Sequence, residues 1–223
     1  MGSVIFDIET IGLPIEAFDE VQREYILKFA DTDEKREAEL QKLALSPLTA
    51  QVVAIAMINP ETMGGRVFFQ SPEADHFFSD DDKVEFISGT ETDILRHFWS
   101  AIQKYDQFIT FNGRGFDCPF LMIRSAMLDI RPTRNLVPYR YDSAVHCDLL
   151  EQLTFYGATK RFNLDFYCKS FGIRSPKSEG VSGLDVDPLF RAGRYADIAR
   201  YCLGDVIATA ELFRRWQNLL NIR

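Results

Sequence analysis

The sequence predicts an α/β domain in which helices flank a mixed β-sheet, with a helical insertion after the first strand. Three observations carry this. Apolar runs of strand length come first and then alternate with helix-period segments, the order expected of a mixed sheet covered by helices. Hydrophobic residues are 46% and charged residues 26% of the 223, enough to bury a substantial core. Residues 14–47, bounded by Pro14 and Pro47, are rich in Glu, Lys, Gln, Ala and Leu, as befits a helical pair with a solvated face. The length fits one domain, 1–223.

Taken in order, Ser3–Phe6 reads as a buried central strand whose end carries Asp7 and Glu9 on one face. After the insertion, Gln51–Ile58 and Arg66–Gln70 are strands, and Lys83–Ser88 is expected as a short edge strand beyond the acidic turn Asp80–Asp82. Thr92–Tyr105 places Ile94, Leu95, Phe98, Trp99 and Ile102 at helix period. Gln107–Phe111 is the next strand, and a helix starts near Pro119, a residue suited to a first turn. Residues 129–147 form a Pro- and Arg-rich connection, Leu149–Ile173 is helical in pieces, and Ala196–Leu220 is a long closing helix.

Composition excludes several classes. No apolar run approaches the ~18 residues of a membrane span, and the start Met1-Gly2-Ser3-Val4 lacks the basic and apolar regions of a secretory signal. Cys118, Cys147, Cys168 and Cys202 are widely spaced without a CxxC pair, which points to reduced core thiols and a cytoplasmic setting rather than disulfides or a zinc knuckle. The net charge of −8 argues against coating long nucleic acid through backbone neutralisation. It is unevenly spread: residues 1–100 carry 20 acids and 8 bases, residues 101–223 carry 13 acids and 17 bases. Gripping a short polyanionic end beside bound cations stays open.

Three acidic segments can cooperate. Asp7 and Glu9 leave one strand on the same face, Asp117 lies at a helix start just past another strand, and Tyr201 and Asp205 are one helical turn apart. Two strand ends and a helix face can converge on one cleft. Four clustered carboxylates repel and raise one another's pKa unless cations intervene. Mg²⁺ or Mn²⁺ suits such oxygen ligands, and two ions ~3.5–4 Å apart stabilise both oxygens of an in-line displacement at phosphorus. A tyrosine, with an ordinary pKa of ~10, stays protonated and can orient the attacking water.

Asp7-Ile8-Glu9-Thr10, the segment Asn112-Gly113-Arg114-Gly115-Phe116-Asp117-Cys118-Pro119-Phe120-Leu121 and Tyr201-Cys202-Leu203-Gly204-Asp205 resemble, in order, the three exonuclease motifs of the DEDD superfamily. Their wording is most similar to the proofreading exonuclease domain of family B DNA polymerases, with Phe120 where tyrosine is more frequent. A tyrosine four residues before the last acid resembles the DEDDy branch; His76, His97 and His146 are all far from the position a DEDDh histidine takes. The resemblance implies a ribonuclease H-like fold and a free-standing 3′-5′ exonuclease using two divalent cations, Mg²⁺ or Mn²⁺. Its substrate would be the 3′ end of single-stranded nucleic acid, DNA in preference to RNA. Asp7 would bridge both metals, Glu9 and Asp205 would hold the one that activates water, and Asp117 would support the other. Tyr201 would position water. Thr10, Ile11 and Leu13 would meet the terminal nucleotide, Asn112 would hold the strand, and Phe116 would stack or pack beside a base. A catalytically silent binding module is the rival of another class; loss of an acid would announce it, and all four are present.

Other acids read as structural: Asp80–Asp82 as a solvated turn, Asp185 and Asp187 as turn or capping residues in a Gly/Pro-bounded loop, and Asp148 as a scaffold residue. Arg124, Arg131, Arg134 and Arg140, and Lys160-Arg161 among Phe155, Tyr156 and Phe162, offer either a single-strand path or ordinary surface cations over a core.

Overall fold

The computed structural model describes residues 2–175 and 183–222. Its seven strands form one sheet in the order β4-β5-β3-β2-β1-β6-β7. These are β1 (Ser3–Gly12), β2 (Ala50–Ile58), β3 (Gly65–Gln70), β4 (His76–Phe78), β5 (Val84–Gly89), β6 (Gln107–Thr110) and β7 (His146–Asp148). β1–β2 and β2–β3 are antiparallel, as is β4–β5, whereas β3–β5, β1–β6 and β6–β7 are parallel, so the sheet is mixed as predicted.

Period-two alternation divides the core. Val4, Phe6 and Ile8 of β1 turn to one face, where they meet α3 (Glu91–Ile102) and α4 (Asp117–Met127) through Ile94, Phe98, Trp99 and Leu121. Ile5 and Ile11 turn to the other, with Ala54, Ala56 and Ile58 of β2. There α8 (Tyr195–Leu219) lays Ile198, Cys202, Val206 and Phe213 on the sheet, joined by Cys168 of α6 (Leu164–Ser170) and Val186 of α7 (Val186–Arg191). Buried polar ties fix the first layer. Arg124 forms a two-bonded pair with Glu91, at 2.8 Å each, and the Trp99 indole donates to the Ser125 hydroxyl at 2.8 Å. Among the described residues no helix is long and apolar enough to cross a membrane.

The insertion is helical as expected: α1 (Glu20–Ile26), capped by an Asp19/Gln22 capping box, and α2 (Asp33–Lys42). Neither helix buries a residue. Attachment comes from the turn Leu43–Leu45, where buried Leu43 packs and Ala44's carbonyl accepts from the Thr10 hydroxyl at 2.7 Å.

Four expectations need correction. β1 does not end near Glu9; β2 holds it as a strand through Gly12, while β6 pairs only with Ser3–Ile5. Asp7 and Glu9 are therefore mid-strand residues just beyond the point where the neighbouring strand turns away. Segment 84–89 is not the edge, because β4 pairs along its outer side. The 129–147 connection ends in β7, and Asp187 lies in the first turn of α7, where it pairs with Arg191 at 2.7 Å, whereas Asp185 ends a short 3-10 turn just before that helix, as expected of a turn residue. Of the two readings open for the basic residues, three arginines take the structural one: Arg124 is buried against Glu91, the Arg134 guanidinium binds the Asp106 carbonyl, and Arg140 pairs with Glu151.

Candidate active site

Asp7 and Glu9 lie on the α8 side of β1, opposite Ala56 and Ala54 of β2. Alanine at both partner positions keeps that side shallow, so α8 can cross over the carboxylates. Cys202 on α8 reaches down to donate its thiol hydrogen to the Asp7 carbonyl at 3.5 Å. Side-chain ligand atoms of Asp7, Glu9 and Cys202 lie within 4.8 Å of one another. From the open side, Asp117 enters as the first residue of α4. Its Oδ1 accepts from the Ile8 amide at 3.1 Å, and its carboxyl shares a hydrogen bond with that of Asp7. Tyr201 and Asp205, one turn apart on α8, complete the group, the tyrosine hydroxyl bonding to the Asp205 carboxylate. The five residues predicted from the three segments thus converge.

Electrostatics record the crowding. Burial, then the neighbouring Asp117, Asp205 and Glu9 charges, hold the Asp7 carboxyl well above the usual range. Glu9 is raised by burial and then by Asp205 and Asp117. Asp117 is pushed up to about 7, chiefly by burial, against the lowering effect of two backbone amides. Burial and then the same acids raise the Tyr201 hydroxyl and the Cys202 thiol, so both stay protonated. What remains for a cation is a set of hard carboxylate oxygens without imidazole or thiolate. That donor set fits a hard divalent cation, which Asp7, Glu9, Asp117 and Asp205 would hold.

A sign follows for stability. An acid whose pKa is raised by folding contributes stability below its unfolded value near 4, and loses it as pH climbs to the folded value, about 7 for Asp117. In chelator, the melting temperature should therefore rise as pH falls from 8 towards 5. Added Mn²⁺ should cancel that trend and raise the melting temperature most at high pH, by relieving repulsion and by mass action. Melting curves across pH, with and without the ion, check both.

The loop that aims Asp117 is clamped by a residue the sequence marked only as scaffold. Asp148, at the end of β7, accepts from the Asn112 amide at 3.1 Å and the Arg114 amide at 2.8 Å. It also caps α5 (Leu149–Leu153) through the Leu150 and Glu151 amides. Asn112 can turn this corner because it adopts the left-handed region, φ 63°. Gly113 follows where any Cβ would lie 2.5 Å from the Thr110 side chain. Asp148→Ala strands these four amides in a site where residue 148 is buried. We expect a loss of about 2–4 kcal/mol, seen as a lower melting temperature together with faster amide exchange at Asn112 and Arg114.

The remaining predicted residues are spread around this centre. Thr10 and Leu13 line an adjoining cleft of about 570 Å³ between the insertion and α7, with Glu16, Gln41, Leu184 and Arg191. Ile11 is buried in the core beneath it. Asn112 and Phe116 belong to the clamped loop, the half-buried Phe116 ring lying 5.5 Å from that of Phe120. Asp80–Asp82 is a turn, as expected, with Asp82 at φ 55°.

A mixed-sheet fold of this kind, with acids from one strand and two helices in one buried cluster, is that of a ribonuclease H-like exonuclease domain. A family model described as "Predicted 3′-5′ exonuclease related to the exonuclease domain of PolB" matches residues 49–221, and the chain belongs to that family. The match begins after Asp7 and Glu9; the fold joins those two to the rest. Over 117 residues the chain is 27% identical to DNA polymerase 1 of Sulfurisphaera ohwakuensis, covering 45% of this chain and 13% of that protein. The family B DNA polymerase from Pyrobaculum calidifontis superposes with a TM-score of 0.61 at 20% identity, over 96% of this chain and 24% of that one. The chain therefore spans only a fraction of the polymerases it matches.

Proposed function

We propose that this protein is a metal-dependent 3′-5′ exonuclease that removes nucleoside 5′-monophosphates from the 3′ end of single-stranded nucleic acid, DNA in preference to RNA. The observation that carries the reading is the convergence of Asp7, Glu9, Asp117 and Asp205, with a protonated tyrosine at the cluster's edge. Bound divalent cations supply charge neutralisation and Lewis acidity at the scissile phosphate. The chain's own contribution is positional. β1 presents Asp7 and Glu9 rigidly, the Asp148 clamp fixes Asp117, and α8 sets Asp205 and Tyr201 at one turn's separation. The Tyr201 hydroxyl, anchored on Asp205, orients the attacking water without exchanging its own proton. Thr10 and Leu13 face the terminal nucleotide across the adjoining cleft. A paired end must fray to enter, which favours single strands. The named relatives are DNA polymerases, which favours DNA.

The test uses 5′-labelled oligonucleotides with a 3′-hydroxyl or a 3′-phosphate, incubated with Mg²⁺ or Mn²⁺. A ladder of one-nucleotide steps from the hydroxyl-ended strand only is expected. Equal degradation of the blocked strand rejects the reading.

A further inference from the structure

Residues 152–164 contain no acid, and between them and the metal-ligand cluster runs a row of aromatic rings. Phe111, immediately before Asn112, meets Tyr167 with ring centroids 5.7 Å apart. Tyr167 meets Phe162 at 6.4 Å, and Phe162 stacks on Phe166 at 4.1 Å with planes 9° apart. The inner end abuts the site: Phe111 precedes the loop that leads into Asp117, and Phe111 and Tyr167 pack against the core cluster that contains Tyr201 and Cys202. The outer end is open. Phe166 is 50% exposed, and Lys160 lies 5.0 Å over the Phe162 ring. Lys160 and Arg161 are exposed, and neither forms an ion pair among the described residues, unlike Lys169, Arg191 and Arg194 nearby in sequence.

The backbone adds a second sign. Phe155 and Tyr156 adopt φ 49° and 58°, a region bulky side chains rarely occupy, and Phe155 is held there 61% exposed. The Tyr156 amide donating to the Glu151 carbonyl at 2.7 Å closes this turn at the end of α5 and leaves the Phe155 ring facing solvent beside the basic pair in sequence. The insertion 14–47 also exposes apolar rings, at Tyr25 and Phe29, but it carries 9 acids against 5 bases, the wrong sign for a polyanion.

We propose that the surface from Phe111 through Tyr167 and Phe162 to Phe166, roofed by Lys160 and Arg161, is a track for the single strand upstream of its 3′ end. It rests on the exonuclease reading of the site and extends it to where the rest of the substrate lies. Phe166, backed by the stacked Phe162 ring, offers an exposed platform that every base can use, and the two cations face phosphates, so the track is indifferent to sequence. It also reconciles an acidic protein with a nucleic-acid ligand, since Lys160 and Arg161 stand in a stretch of chain, 152–164, without acids.

Binding is read by anisotropy of fluorescein-labelled dT15 on the full chain in chelator, where no turnover occurs, across a salt series. Lys160→Ala/Arg161→Ala should lower the slope of log affinity against log salt by about 1.4, the value for two lost phosphate contacts on a single strand. Phe166→Ala should weaken binding roughly tenfold, and an abasic 15-mer of the same charge should bind the wild type correspondingly less well. With Mg²⁺, kcat/KM for these variants should fall far more on dT15 than on dT3. Unchanged salt slope and affinity, equal affinity for the abasic strand, or equal losses on dT3 and dT15 overturn the track, and melting curves show that each variant is folded. A wild type that binds dT15 with the expected salt and stacking dependence yet turns over no oligonucleotide sinks the exonuclease reading and supports the track.

Discussion

Asp7→Asn should abolish turnover, by about 10⁴-fold or more, because residues acting as one unit lose most of their joint effect when any central member goes. The structure makes this a clean substitution. Asparagine has the shape of the protonated acid, and in the metal-free protein burial and three neighbouring acids already favour that form of Asp7. Its amide can still donate to the Asp117 carboxylate that now shares a hydrogen bond with residue 7. At neutral pH the wild type must take up a proton on residue 7 as it folds, a cost asparagine does not carry, so in chelator the variant should melt above the wild type. In Mn²⁺ the order should reverse, because the wild type gains from the ion and the variant has lost the ligand that faces all three other acids. Stability gained where activity is lost is the expected behaviour of a site built from repelling groups. Activity within tenfold of wild type, or an Asp7→Asn melting temperature that still climbs fully with Mn²⁺, would show that the acids do not act as a unit.

Much of this site was legible because its residues violate local rules. Carboxylates are depleted in buried strands, so an apolar run ending in Asp-x-Glu stands out, as does a helix turn with a tyrosine and an acid on an otherwise apolar face. The same violation misled the reading of β1. Asp7, Glu9 and Thr10 look like a strand end, and only the ladder to β2, from Ile5↔Ile58 to Gly12↔Ala50, carries the strand on. Three-residue strands such as His76–Phe78 and His146–Asp148 are too short to show a periodicity, and the partners of the second, Phe108–Thr110, are distant in sequence. Asp185-Val186-Asp187-Pro188 has turn composition, yet Pro188 sits in the first turn of α7, where a missing amide hydrogen costs nothing. The sequence reads Asp148 as scaffold, but that it grips the Asn112 and Arg114 amides depends on β6 and β7 pairing in register at Thr110↔Asp148. No local signal contains that register.

Tyr201→Phe should slow turnover by ~10²–10³, the range for one positioned polar group, while leaving the Mn²⁺-induced rise in melting temperature nearly intact. The hydroxyl is not among the ligand oxygens. It bonds to Asp205 at the cluster's edge, in a helix whose neighbouring residues Ile198, Cys202 and Val206 pack on the sheet. Phenylalanine keeps that packing, so α8 and Asp205 stay in place and the loss falls on the attacking water. Proton chemistry gives an independent check. Burial and then the Asp205, Glu9 and Asp7 charges hold the phenol well above its ordinary range, so the hydroxyl cannot act as a base near neutral pH. The pH–rate profiles of wild type and Tyr201→Phe should accordingly run parallel, offset by a constant factor. A profile whose alkaline limb vanishes in the variant would instead make the tyrosine a proton carrier. A fully active variant would leave water positioning to the acids alone.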